Sequence, residues 1–149
     1  MGYRHTQRAP LGALLVLIAA VLIGTAWRVW ENGPAGILLG VGAVVFLLLA
    51  ASFWRLTVED RGASLGVRFG PLPVFGTSIP YSSIAAATAG RSSLIDGWGI
   101  HFVPFRGWTF NLWGRSCVAI RTAHGVVRVG TDDPANLERF LKERMSGRA

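Results

Sequence analysis

The chain is short of charge. Asp, Glu, Lys and Arg make up 15% of its 149 residues, against about a quarter in ordinary soluble domains. A deficit of that size argues against a purely soluble protein and points to a membrane. Cysteine is nearly absent. The single Cys117 excludes an intramolecular disulfide framework and a cysteine-built zinc site. The three histidines, His5, His101 and His124, lie far apart, so no metal-ligand spacing can be read and no cofactor is expected. Phosphate-loop, GxSxG and zinc spacings are all missing, and no catalytic residue can be named. Lysine is almost missing as well: fourteen arginines accompany one lysine, a bias that points to a GC-rich bacterial genome.

What is present begins with two uncharged runs, Leu11–Trp27 and Pro34–Trp54. A spanning helix needs about 20 apolar residues. The second run meets this alone, and the first does so if Arg28 snorkels while Val29 and Trp30 lie at the interface. Asn32-Gly33-Pro34 between them is turn chemistry, so the pair reads as a tight helical hairpin over about 11–30 and 34–54. Trp27, Trp30, Phe53 and Trp54 fall at the level of an aromatic belt. Residues 1–26 also carry signal-peptide marks: Arg4 and Arg8, an apolar core, and Gly24-Thr25-Ala26 as a cleavage site. The core is long for a signal, and a second span follows almost directly.

Arg4 and Arg8 precede the first span, and Arg55, Arg61 and Arg68 follow the second. By the positive-inside rule both termini are cytoplasmic and residues 1–10 form a basic cytoplasmic tail. The formal charge of +7 then faces an anionic leaflet. Neither uncharged run holds an ionisable residue, which argues against a transporter or channel. Gly36 and Gly40 form a GxxxG that would let a second helix approach closely. Packing inside the hairpin and packing against another chain both account for it.

After Trp54 the pattern becomes short and alternating. Strands are expected at Arg55–Glu59, Ser64–Phe69, Phe75–Tyr81, Ser82–Thr88, Trp98–Phe102, Trp108–Leu112, Cys117–Arg121 and Val126–Val129. A polar loop is expected over Ala89–Gly97. A closing helix follows, with Asp133 as N-cap, Pro134 in its first turn, and Leu137, Phe140, Leu141 and Met145 as an apolar stripe. Residues 146–149 are left as a tail.

This order resembles the bacterial pleckstrin-homology-like (PH-like) domain found in small membrane proteins after two spans. The resemblance is carried by LTVEDRGASLGVRFG, by IPYSSI at Ile79–Ile84, by GWGI at Gly97–Ile100, and by VRVGTDDPANLERFL at Val127–Leu141. It covers residues 55–145. It implies an α+β chain: a two-span hairpin, then an antiparallel barrel or sandwich of about seven strands with a C-terminal capping helix. It implies no catalytic residue, and because the ligands of such domains are mostly unknown it carries no binding site across.

The stretch Gly97–Thr122 is rich in aromatics and has no carboxylate. Trp98 and Trp108 are expected to fill the core, with Ile100 and Phe102 packed under the helix or the opposing sheet. Trp113 and Arg115 sit in one turn, and Phe105 and Arg106 in another. These four are the candidate membrane-interface or partner-binding rim. Scattered single charges on a tethered chain argue against nucleic acid. The expectation is therefore a non-enzymatic, membrane-anchored binding or scaffolding module at a bacterial inner membrane. Its partners would be the bilayer, anionic lipid headgroups or a membrane protein. The alternative is an accessory subunit that contacts a larger complex through the hairpin.

Overall fold

The computed structural model describes residues 2–72, 74–92 and 98–147. Gly97, which opens the GWGI stretch, most of the loop expected before it, and the last two residues of the expected tail lie outside the described residues. The uncharged runs form two helices, α1 (Leu11–Arg28) and α2 (Pro34–Ser52), joined through a 3-10 turn at Trp30–Asn32. Each is long and apolar enough to cross a membrane. Pro34 opens α2, where its missing N–H costs nothing.

The helices meet along small residues spaced by seven. Gly12, Ala19 and Ala26 of α1 and Gly36, Ala43 and Ala50 of α2 are buried. That period keeps one stripe of each helix facing the other. Small side chains permit close approach, and the large ones (Leu17, Val21, Ile37, Leu38) point outward. The GxxxG pair divides. A Cβ on Gly36 would lie 3.2 Å from the Trp30 Cα, whereas one on Gly40 would meet nothing within 4 Å.

The β domain begins before the hairpin. Arg4–Arg8, expected as part of a tail, is strand β1 and pairs with β2 (Arg55–Asp60). Nothing in Arg-His-Thr-Gln-Arg alternates in hydrophobicity, so the strand is set by its partner and not by its own pattern. The hairpin is thus inserted between two neighbouring strands of one sheet. That sheet, A, runs β1-β2-β3-β4, with β3 at Ser64–Gly70 and β4 at Gly76–Pro80.

Sheet B holds β5 (Ile84–Arg91), β6 (Gly99–Val103), β7 (Gly107–Asn111), β8 (Ser116–Thr122) and β9 (Gly125–Gly130), in the order β5-β8-β9-β7-β6. The expectation of one antiparallel barrel or sandwich of about seven strands is corrected here to nine strands in two sheets among the described residues. Strand β9 inserts between β8 and β7, and two successive reversals bring it in parallel to β7. Helix α3 (Pro134–Ser146) packs chiefly on β5 and also on β8.

The core is what alternation dictates. Leu56, Val58, Leu65, Val67 and Phe69 point in from sheet A, Val118, Ile120 and Val129 from sheet B with Leu112 just past β7, and Leu137 and Leu141 from α3. Phe140 and Met145 pack against it half-buried, so the apolar stripe faces the core as expected. Asp133 occupies the N-cap but does not cap through its side chain. Its carboxylate instead accepts from Asn136 Nδ2 at 2.7 Å.

Candidate interaction surface

Strands β1 and β2 lead into α1 and out of α2, so one end of sheet A is the hairpin end. Phe53, just past α2, stacks on Phe75 at 5.6 Å between ring centroids and meets Phe69 edge-on at 5.3 Å. The Leu72 amide reaches the Ala51 carbonyl at 3.5 Å. The β3–β4 connection therefore sits against the base of the hairpin.

Strand β7 crosses this same end. On the β1 side, the Gln7 side-chain amide donates to the Trp113 carbonyl at 3.1 Å. On the β4 side, Trp108 and Phe110 line an open apolar cleft of about 390 Å³ with Val74, Phe75, Ile100 and Val127. Strand β6, the last in sheet B, lies beyond β7. Its face therefore extends past the strands that would cover it.

This placement overturns the expectation that Trp98, Phe102 and Trp108 are core. They are 54%, 57% and 49% exposed, because an edge ribbon at the rim of the sandwich has too little opposing sheet to bury them. Phe102 and Trp108 pack against each other at 5.6 Å, and Trp108 against Phe110 at 6.3 Å. Ile100, expected in the core beside them, does pack against it.

The four rim residues do not form one cluster. Phe105 and Arg106 lie in the β6–β7 turn, and Trp113 and Arg115 follow the other end of β7, five strand residues or roughly 15 Å away. Phe105 is fully exposed with φ of 63°, a value a non-glycine residue seldom takes. The Arg106 carbonyl accepts from Arg128. Trp113 is half-buried, stacked on Trp98 at 4.3 Å. Arg115 Nε donates to the Ser92 carbonyl at 3.3 Å.

Outside the hairpin and its turn, the exposed large apolar residues among the described ones are Trp54, Leu72, Val74 and Phe75, with Trp98, Phe102, Phe105 and Trp108. All belong to the hairpin base, the β3–β4 connection or the β6–β7 ribbon. Sequence reasoning placed only Trp54 and Phe105 in such a role. The signal it missed was the apolar run of Leu72, Val74 and Phe75 between two expected strands.

The far end of sheet A is closed by polar contacts. Tyr81 donates to Asp60 Oδ1 at 2.8 Å, the Gly62 amide donates to the same oxygen at 2.9 Å, and Arg144 of α3 pairs with Oδ2. Burial pushes the Asp60 carboxyl up, but the bonds from Gly62, Tyr81 and Arg144 outweigh it and hold it below the usual range. Burial and the bond to Asp60 push the Tyr81 hydroxyl up. Tyr3 is raised too, by burial and by the Asp133 carboxylate. Among the described residues no three of His, Cys, Asp and Glu gather to hold a metal. No protein-family model matches the chain, and no curated protein matches it.

Proposed function

We propose that the chain is a membrane-anchored, non-enzymatic binding or scaffolding module. Helices α1 and α2 cross a bacterial inner membrane as a hairpin, both termini are cytoplasmic, and a PH-like domain is presented at the membrane surface. The PH-like reading is supported by two sheets around one core with a single helix after the last strand. One observation carries the placement at the surface: the exposed large apolar residues of the described β domain lie at the hairpin base, in the β3–β4 connection packed against it, and along the β6–β7 ribbon whose Trp108 shares a cleft with that connection. A soluble surface would scatter such residues, and a contiguous patch marks a contact. Trp and Phe at the base of a spanning hairpin suit the headgroup boundary.

The test uses the full chain in lipid nanodiscs. An environment-sensitive fluorophore is attached at residue 105, residue 74 or, as control, residue 63 in the β2–β3 turn, after Cys117→Ser removes the native thiol. Six strand residues separate that turn from the hairpin end, about 20 Å. Quenching by lipid-borne spin labels is expected at 105 and 74 and not at 63. Equal quenching at all three sites, or none at any, sinks the reading.

A further inference from the structure

We propose that the outer face of sheet A binds a phosphate group, held by Arg4, Arg55 and Arg68 over a floor of Thr6 and Thr57. The antiparallel register sets Arg4, Thr6 and Arg8 opposite Glu59, Thr57 and Arg55, and sets Arg68 and Gly70 opposite Thr57 and Arg55. Leu56, Val58, Val67 and Phe69 point inward, so alternation turns these polar residues out together. Arg61 leans onto the same face from its turn, across Gly66.

Five arginines (Arg4, Arg8, Arg55, Arg61 and Arg68) stand at this face, and among the described residues Glu59 is the one carboxylate that pairs with any of them. Glu59 lies 3.9 Å from Arg4, 3.1 Å from Arg61 and 3.7 Å from Arg68. Arg8 and Arg55 stand directly opposite each other, and among the described residues neither has a carboxylate within 4.0 Å. Like charges directly opposite destabilise a sheet, so an anion is the missing counterpart.

The space for it exists. Arg4, Thr6, Arg55, Thr57 and Arg68 line a cavity of about 130 Å³, roughly four water volumes. Thr6 Oγ1 and Thr57 Oγ1 are 3.0 Å apart. One hydroxyl donates to the other, and the second hydrogen is available to a bound oxygen. Guanidinium forks match phosphate oxygens in charge and geometry. Arg55 follows directly on the hairpin, so the phosphate of an anionic lipid is one source and a free phosphate compound the other. The lipid source rests on the membrane-anchor reading; the phosphate chemistry does not.

The experiment takes the full chain in a neutral maltoside detergent and measures binding of short-chain phosphatidic acid, phosphatidylcholine and inorganic phosphate by native mass spectrometry. Phosphatidic acid is expected to bind at least tenfold more tightly than phosphatidylcholine. The double variant Arg55→Ala, Arg68→Ala should lose about tenfold to thirtyfold of that binding, while Arg55→Lys, Arg68→Lys keeps part of it. The unliganded alanine variant should melt no lower than the parent, since repulsion is removed. Displacement by excess inorganic phosphate assigns the site to a free phosphate compound, and resistance to it assigns the site to lipid. Equal binding of the two lipids together with no binding of inorganic phosphate, or undiminished binding by a folded alanine variant, overturns the proposal. Carbonate extraction of membranes tests the anchor separately: release of the parent chain would remove the anchor reading and leave the phosphate measurements standing.

Discussion

Gln7 and Trp113, 106 residues apart, are joined by a hydrogen bond of 3.1 Å from the Gln7 amide to the Trp113 carbonyl. Gln7 is buried, and this bond is the cross-link that holds the end of β7 over the hairpin end of sheet A. Gln7→Ala removes the donor and leaves a carbonyl in a poorly hydrated place. The expected cost is about 1–3 kcal/mol. The Trp98–Trp113 stack, which rides on the same loop, should loosen with it. Thermal unfolding and the near-ultraviolet circular dichroism of the tryptophans report both effects. An unchanged melting curve would mean that the loop is held elsewhere.

Gly36 and Gly40 should respond differently to the same substitution. Leucine at Gly36 drives a branched side chain against the Trp30 backbone, and overpacking of this kind costs about 1–3 kcal/mol. Leucine at Gly40 enters open space and should leave the melting temperature in detergent nearly unchanged. Equal losses at the two sites would show that the close helix approach is not where the heptad of small residues puts it.

The parts of the chain with a strong local period were legible from sequence. Two uncharged runs became α1 and α2. The alternation at Ser64–Phe69 became β3, and the stripe from Leu137 to Met145 became the buried side of α3. Elements fixed by a partner were not legible. Strand β1 has no apolar alternation and exists because β2 pairs with it. The parallel β7–β9 contact depends on which strand slips between which, and no local pattern encodes that. The tryptophans were misjudged for a related reason: alternation says which residues share a face, but only the overlap of the two sheets decides whether that face is covered. Trp98 and Trp108 fall where the overlap ends. In sequence the arginines around the hairpin mark topology alone; the convergence of Arg4, Arg61 and Arg68 on Glu59 needs the register of three strands.

The apolar stripe of α3 should have unequal members. Leu137 is fully buried, so Leu137→Ala should cost about 2–5 kcal/mol. Phe140 is half-buried between Tyr3, at 5.4 Å, and Tyr81, at 6.2 Å. Phe140→Ala should therefore cost less than a fully buried phenylalanine, about 2 kcal/mol. Chemical denaturation of the two variants side by side checks the order. A larger loss at Phe140 would mean that the aromatic cluster with Tyr3, and not the leucine core, holds the helix down.

Asp60 should make the protein sensitive to acid. Its carboxyl lies below the ordinary value because the bonds from Gly62, Tyr81 and Arg144 outweigh the effect of burial. A depressed folded-state pKa contributes stability that is fully present above the unfolded value of about 3.9 and is lost as the pH falls through the folded value. Asp60→Asn keeps the size of the side chain and removes the charge that Arg144 and Tyr81 address. At pH 7 the variant should be less stable by about 2 kcal/mol, the scale of one hydrogen bond to a charged group. The gap should persist down to about pH 4 and narrow below it, as the parent carboxyl takes up its proton. Melting curves of both proteins from pH 7 to pH 3 measure that gap. A gap that stays constant across the range would assign the loss to the altered side-chain shape. A gap that widens in acid would contradict the direction of the shift itself.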